Sequence, residues 1–390
     1  MGITAGGMII LLAISGGLPE IMWLGNRGMA GSAAAAGIGN TWYADVSPQG
    51  ALENPVMASR LPEGFTAGLT GEVVLDIEKR TRRVYDSFGG VVGESEYSFN
   101  QNFTPLPGGA AVSWSDGTFA AVGGIRAVNT FSYNYGRVMN DDNYVKIADE
   151  ELAVSGFLGD FSLAGSWHTG GILSFGAGGG FVAGTRTSEY TVEYVDPSAS
   201  DVQTETSSEL SGLLVRGSAM ADLGTLLVSA GFEQPLNWKV AVEDVETDMT
   251  LPMKAQTGII YKPGNRLMSK FAADFWWAST SSVEIDSEDA LLRNSWGFGA
   301  GVENTLPGNT IVRAGFEYDS SPVSSALDRM GFTAGIGFML GDMSVDAALG
   351  FSPVRWDQYQ VDGLPSFVPG DSLVVESSRT AFSLGVTKTF

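Results

Sequence analysis

The chain has 390 residues with 52 Gly and 11% aromatics, yet only 17% are charged, against a usual quarter or so. Its 22 Lys and Arg against 44 Asp and Glu leave a formal charge of −22, which argues against nucleic acid, whose phosphates need a basic face. Cys is absent and His168 is the single His, so disulfides, thiolate sites and His-rich metal sites are excluded, and no metal, cofactor or enzymatic triad is expected.

No stretch reaches the roughly 18 uninterrupted apolar residues of a spanning helix. The longest, "MIILLAI" from Met8 to Ile14, has the length of a signal-peptide core and is followed by Ser15, Gly16 and Gly17. No Lys or Arg precedes it. The reading favoured is an export signal over residues 1–22, cleaved between Gly17 and Trp23. Residues 23–63 then carry small residues, one Ala run and an Asn54-Pro55 break, without strand patterning. A segment of that kind can fold back into a lumen as a plug.

From Gly64 onward, alternating segments of about ten residues are separated by turn signals. Short turns stand at 115–118, 168–171, 221–225, 262–265, 306–309 and 340–342. Mostly longer, polar connections fall at 80–100, 134–145, 195–208, 279–291, 320–329 and 354–376, with a short one at 243–248. Counting between them gives fourteen strands in residues 64–390. In "TIVRAGFEYD", Val312, Ala314, Phe316 and Tyr318 face one way, while Arg313, Gly315, Glu317 and Asp319 face the other. "SKFAADFWW", "WGFGAGVEN", "FTAGIGFML" and "MSVDAALGF" repeat the pattern. One apolar face per strand with aromatics near its ends, opposite a Gly-rich charged face, predicts an all-β, 14-stranded antiparallel transmembrane barrel with membrane lipids as its outer solvent. Closure follows because an open edge in hydrocarbon leaves backbone groups unpaired.

Parity points Arg216, Glu233, Lys270, Asp274, Glu303, Arg313, Glu317 and Asp346 into the lumen. Two readings stay open. Paired charges can brace the wall, or a cation (Arg216, Lys270 or Arg313, with Glu317 also a lumen candidate) can meet the carboxylate of an amphipathic ligand. The glycines of "SFGAGGGF" at Gly176 and Gly178–Gly180 lack the Lys-Ser/Thr of a phosphate loop and fit small lumen residues beside a plug. The acidic stretches 140–143 and 286–290 read as solvated loops.

The C-terminal "RTAFSLGVTKTF" puts Phe382, Leu384, Val386 and Phe390 on the lipid parity. Lys388 is the exception, expected at the periplasmic interface where its stem can snorkel.

Three stretches resemble the FadL-type outer-membrane transporters of long-chain fatty acids and other hydrophobic compounds. They are "GNRGMAGSAAAAG…ADVSPQGALENPVMASRL", "GFEQPLNWKVAVEDVETDMTLPMKAQTGIIYKPGNRLMSKFAADFWW" and "NSWGFGAGVENTLPGNTIVRAGFEYDSSPV", about a third of the chain in collinear order. The first reads Asn-Pro-Val where the family usually has Asn-Pro-Ala. The resemblance implies a monomeric barrel in the bacterial outer membrane, with a hatch at Asn54 and Pro55 and passive uptake of a hydrophobic small molecule. It implies a lateral exit beside a kinked third strand, where Gly123 and Gly124 of "FAAVGGIRAV" are the matching positions. The terminal Phe390 resembles the aromatic signal read by barrel-assembly machinery. The alternative within the wider family is a structural or shuttle barrel subunit of a secretion or cell-surface assembly, with a protein partner and no transport.

Overall fold

The computed structural model describes residues 26–27, 31–140, 145–242, 245–285, 288–289, 292–357 and 373–390. The signal-peptide expectation for 1–22 lies outside them, as do most of the two acidic loops.

The elements run in chain order. β1 (Asn26–Arg27), α1 (Ala33–Gly37) and α2 (Pro48–Glu53) precede the wall, with single helical turns at Trp42–Ala44 and Pro55–Arg60. The wall begins with β2 (Gly64–Tyr85), β3 (Val91–Ser115), β4 (Phe119–Asn140), β5 (Lys146–His168), β6 (Leu173–Tyr194), β7 (Val202–Asp222) and β8 (Leu226–Val242). β9 (Val245–Thr250) and β10 (Lys254–Tyr261) are two parts of one interrupted strand, since both pair with β8. β11 (Lys270–Ala278) and β12 (Glu284–Ile285) form the next, pairing with β10 and β9. β13 (Glu288–Asp289) makes a small hairpin with β12. The wall continues through β14 (Ser295–Leu306), β15 (Thr310–Asp319), β16 (Arg329–Leu340), β17 (Met343–Asp357) and β18 (Leu373–Thr389). With the split strands taken as one each, the wall has fourteen strands, all antiparallel to their neighbours.

The barrel closes where β18 pairs with β2 from Leu373↔Arg82 to Thr389↔Thr66. Closure leaves no open edge between first and last strands, which hydrocarbon would penalise. The Phe390 amide adds one more bond, to the Phe65 carbonyl at 2.8 Å. Phe382, Leu384, Val386 and Phe390 are exposed on the outer face while Ser383 is 1% exposed and inward, as the alternation predicts. Lys388 pairs with Met343 beside the last short turn, and its ammonium lies 4.9 Å from the centre of the Phe390 ring. It therefore sits at the short-turn end. An aromatic ladder, Trp296–Tyr318–Phe298–Phe316–Phe332, crosses neighbouring strands on the outside with ring centres 4.9–5.9 Å apart.

All six predicted short turns are found, but β2–β6 run for 22–25 residues rather than about ten. Much of the expected loops 80–100, 134–145 and 195–208 is strand. The parity rule marks a strand only where one face meets hydrocarbon. A span needs about 9–11 residues, so the far halves of these strands stand clear of the apolar belt, and both their faces carry polar residues.

Candidate functional site

The lumen is filled by residues 31–63. Ser32 caps α1 by accepting from the Ala35 amide at 3.3 Å, and Ser47 caps α2 by accepting from Gly50 at 3.0 Å, with Pro48 opening the helix. The segment reaches most of the circumference: α1 lies on β15–β18, the Trp42–Ala44 turn on β10 and β11, α2 on β2–β5 and the Pro55–Arg60 turn on β3–β7. Glycine makes this approach feasible. Any side chain at Gly315 would run into the backbone of Ile38 and Gly39, and Gly39 itself has φ +83°. Gly176 and Gly178 face the Pro55–Val56 backbone and ring in the same manner.

Asp45 is 1% exposed inside this plug. Its Oδ1 accepts from the Ser32 hydroxyl at 2.8 Å, while Oδ2 has no partner among the described residues. Burial pushes its pKa up to about 6, against the pull of the Ser47 and Ser32 hydrogen bonds. Asn54 is fully buried and its side-chain amide is unpaired among the described residues, while the next amide but one, Val56 N, donates to Ser218 Oγ at 2.8 Å.

The predicted lumen charges all point inward, and the structure ties Arg216, Arg313 and Lys270 into the wall or the plug. Arg216 is 2% exposed and donates to Glu233 (2.7 Å), Ser162 (2.9 Å) and Asp160 (2.6 Å). Arg126 binds the same Asp160 at 3.1 Å and stands 3.6 Å from Glu53 of the plug. Arg313 donates to Glu303 and Asp346, both at 2.7 Å. Lys270 pairs with Glu303 at 3.1 Å and reaches the Ala44 carbonyl. Glu317 instead lines a polar cavity above the plug with Glu72, Asp274, Asp319, Arg329 and Arg379. There Asp274 accepts from the Trp42 amide at 2.7 Å, and the Lys254 ammonium lies 3.0 Å from the Trp42 ring centre.

The far part of the lumen differs in character. Phe131, Leu152, Leu158, Leu214, Trp238 and Trp356 are each under 5% exposed and form one apolar cluster inside the barrel. Arg186 on β6 shares that inward face with Val182. Its Nε has no hydrogen-bond partner and it has no ion pair among the described residues. Sequence reasoning missed it. Its neighbour across the ladder is Gly156, so no charged partner marks it in the sequence.

Beside this cluster the wall changes. Among the described residues, β3 and β4 pair only from Gly109↔Arg126 to Ser115↔Ala120. Above that, β3 carries Pro105, which has no amide to donate. β4 bulges at Val128, where its register with β5 shifts. One inserted residue moves the inward set from Arg126's parity to that of Phe131 and Tyr133. Side chains then replace the ladder. Asn102 Nδ2 donates to Ser132 Oγ at 2.7 Å, Thr104 and Ser132 hydroxyls meet at 2.6 Å, and Gly136 N donates to Asn100 Oδ1 at 2.8 Å. Arg137 lies over the Tyr97 ring at 4.9 Å. β1 adds two backbone pairs to the free edge of β4, Asn26↔Thr130 and Arg27↔Asn129. Gly123 and Gly124 are not at the interruption. They pair with Val112 and Ala111 on one side and Leu163 and Ser162 on the other, inside the continuous ladder.

No protein-family model matches the sequence, and no curated protein matches it. Solved structures do resemble it. A FadL homologue of Pseudomonas aeruginosa superposes with a TM-score of 0.64 at 16% identity, over 94% of this chain and all of that one. The toluene transporters TodX of Pseudomonas putida (0.60, 13%) and TbuX of Ralstonia pickettii (0.56, 16%) each match over 93% of this chain and 99% of their own. With its lumen-filling N-terminal segment and fourteen closed strands, the chain has the fold of the FadL-type membrane barrels.

Proposed function

We propose that this protein is a passive outer-membrane channel for small hydrophobic molecules, which enter the apolar far lumen and leave sideways through the β3–β4 seam into the membrane. The observation that carries the reading is the coincidence of two features. The backbone ladder stops at Gly109 and Arg126, and the buried apolar cluster at Phe131 lies directly behind the interruption. A seam held by a few side-chain hydrogen bonds, each worth about 0.5–1.5 kcal/mol net, opens at far lower cost than a continuous ladder. The plug, anchored by Asn54–Val56 and the Trp42 turn, serves as the hatch that blocks the straight path. Arg186 supplies a cation for a carboxylate-bearing end, so fatty acids fit as well as the toluene-sized compounds that the names of the fold neighbours carry. Phe390, exposed at the closing strand pair, is the feature through which assembly machinery would engage the barrel.

Expressed in a bacterial outer membrane that lacks its own channel of this kind, the protein should accelerate uptake of labelled oleate or toluene several-fold. Uptake equal to that of the empty membrane, with the barrel folded and inserted, would overturn the reading.

A further inference from the structure

The short-turn end of the lumen holds a second cavity, separate from the acidic one above the plug. It measures about 320 Å³, at the lower end of the roughly 300–1,000 Å³ of small-molecule pockets. One part of its wall is apolar, with Val46 and Met57 of the plug, Leu227 of β8, Ile260 of β10, and Met268 in the β10–β11 turn, while Ser269 and Glu303 also line it. Three cations stand around it, Arg60, Lys262 and Lys270. Two are matched, Arg60 by Asp222 and Lys270 by Glu303 at 3.1 Å. Glu303 in turn also binds Arg313, so neither carboxylate is left over for the third cation. Lys262 is half-buried in the turn after β10 and has no ion-pair partner among the described residues. Burial, and then the Arg60 and Lys270 cations, lower its pKa, while Asp222 and Glu303 act weakly the other way.

We propose that this cavity is a binding site for a single-chain amphiphile with an anionic head, the chain lying among Val46, Met57, Leu227, Ile260 and Met268 and the head on Lys262. The residues favour an anion over a cation because three positive groups face two carboxylates that are already engaged. They favour an amphiphile over a small inorganic anion because the apolar side chains of Val46, Met57, Leu227, Ile260 and Met268 gain only when a chain excludes water from them. The site lies on the inner side of the plug, away from the β3–β4 seam. It goes beyond the lateral route and adds a station at the opposite mouth.

The sequence has no Cys, so Met268→Cys gives a single thiol at the rim of the cavity, on a residue that is 65% exposed. The full chain in lipid nanodiscs is labelled with a maleimide in the presence of dodecanoate, dodecanol or acetate. Dodecanoate should slow labelling at least fivefold, dodecanol less, and acetate not at all. Adding Lys262→Gln should remove the advantage of dodecanoate over dodecanol, while the heat-dependent gel mobility of the folded barrel stays unchanged. Equal protection with and without Lys262→Gln, no protection by dodecanoate, or full protection by acetate would each overturn the proposal. None of these readouts involves uptake, so their failure is separable from failure of the channel reading.

Discussion

Asn102 on β3 donates a hydrogen bond to Ser132 on β4 at 2.7 Å, across a stretch of wall where the two strands share no backbone ladder. A barrel in lipid normally satisfies its backbone groups through neighbouring strands. Here polar side chains and two residues of β1 do part of that work, and the interruption begins where the lumen turns apolar.

The seam can be locked. An Asn102→Cys/Ser132→Cys pair introduces the only thiols in the chain. Once oxidised, it should reduce uptake of a hydrophobic compound to near background, and a reductant should restore it. Undiminished uptake through a verified disulfide would exclude the seam as the exit.

Arg186 and Arg216 should separate cleanly. Arg186 has no ion-pair partner among the described residues, so Arg186→Gln should leave the melting temperature nearly unchanged. It should weaken oleate binding by about tenfold or more, the worth of a charge-assisted hydrogen bond, and spare toluene. Calorimetry with the two ligands decides the matter, and equal losses for both would refute the assignment.

Arg216→Met should do the opposite. Removing one member of a buried charge network leaves Asp160 and Glu233 short of a partner and costs about 3–5 kcal/mol. Thermal unfolding in detergent should show the loss, with ligand affinity in the surviving folded fraction unchanged. A fall in oleate affinity at constant stability would instead restore Arg216 as a ligand contact.

Asp45 makes the docked plug sensitive to pH. Its pKa in the folded protein is about 6 against an ordinary 3.8, so the folded state holds the proton more tightly than the unfolded chain does. Its stabilising contribution is complete below about pH 4 and is lost as pH rises through 6, on the order of 2–3 kcal/mol in all. Asp45→Asn, a neutral stand-in, should therefore match the wild type near pH 4 and melt higher at pH 7–8. A melting-temperature difference that does not change with pH would show that the Asp45 carboxyl titrates alike in the folded and unfolded chain, and would overturn the assignment.

The amino-acid sequence alone determined the membrane-facing half of this protein. In a strand that touches hydrocarbon, side chains alternate between two solvents, so Phe382, Leu384 and Val386 declare the outer face and Arg313, Glu317 and Asp346 the inner one. Turn chemistry such as "KPGN" and "LPGN" marks where each strand stops. The sequence also carried the plug, because residues 23–63 lack strand patterning and small residues such as Gly176 on the inner parity leave room beside it. Only the tertiary structure decided the rest. The long upper strands meet water on the outside and polar or packed neighbours within, so no period separates them from loops. Whether a lumen cation braces or binds depends on which strands bring carboxylates beside it: Asp160 and Glu233 meet Arg216, Asp346 meets Arg313, and none of the described residues pairs with Arg186. The seam was out of reach for the same reason. Gly123 and Gly124 are the weak spot by residue type, but the neighbours across both ladders are in register there. The interruption begins instead above Gly109 and Arg126, where β3 carries Pro105, which lacks a donor, and β4 carries an inserted residue at Val128.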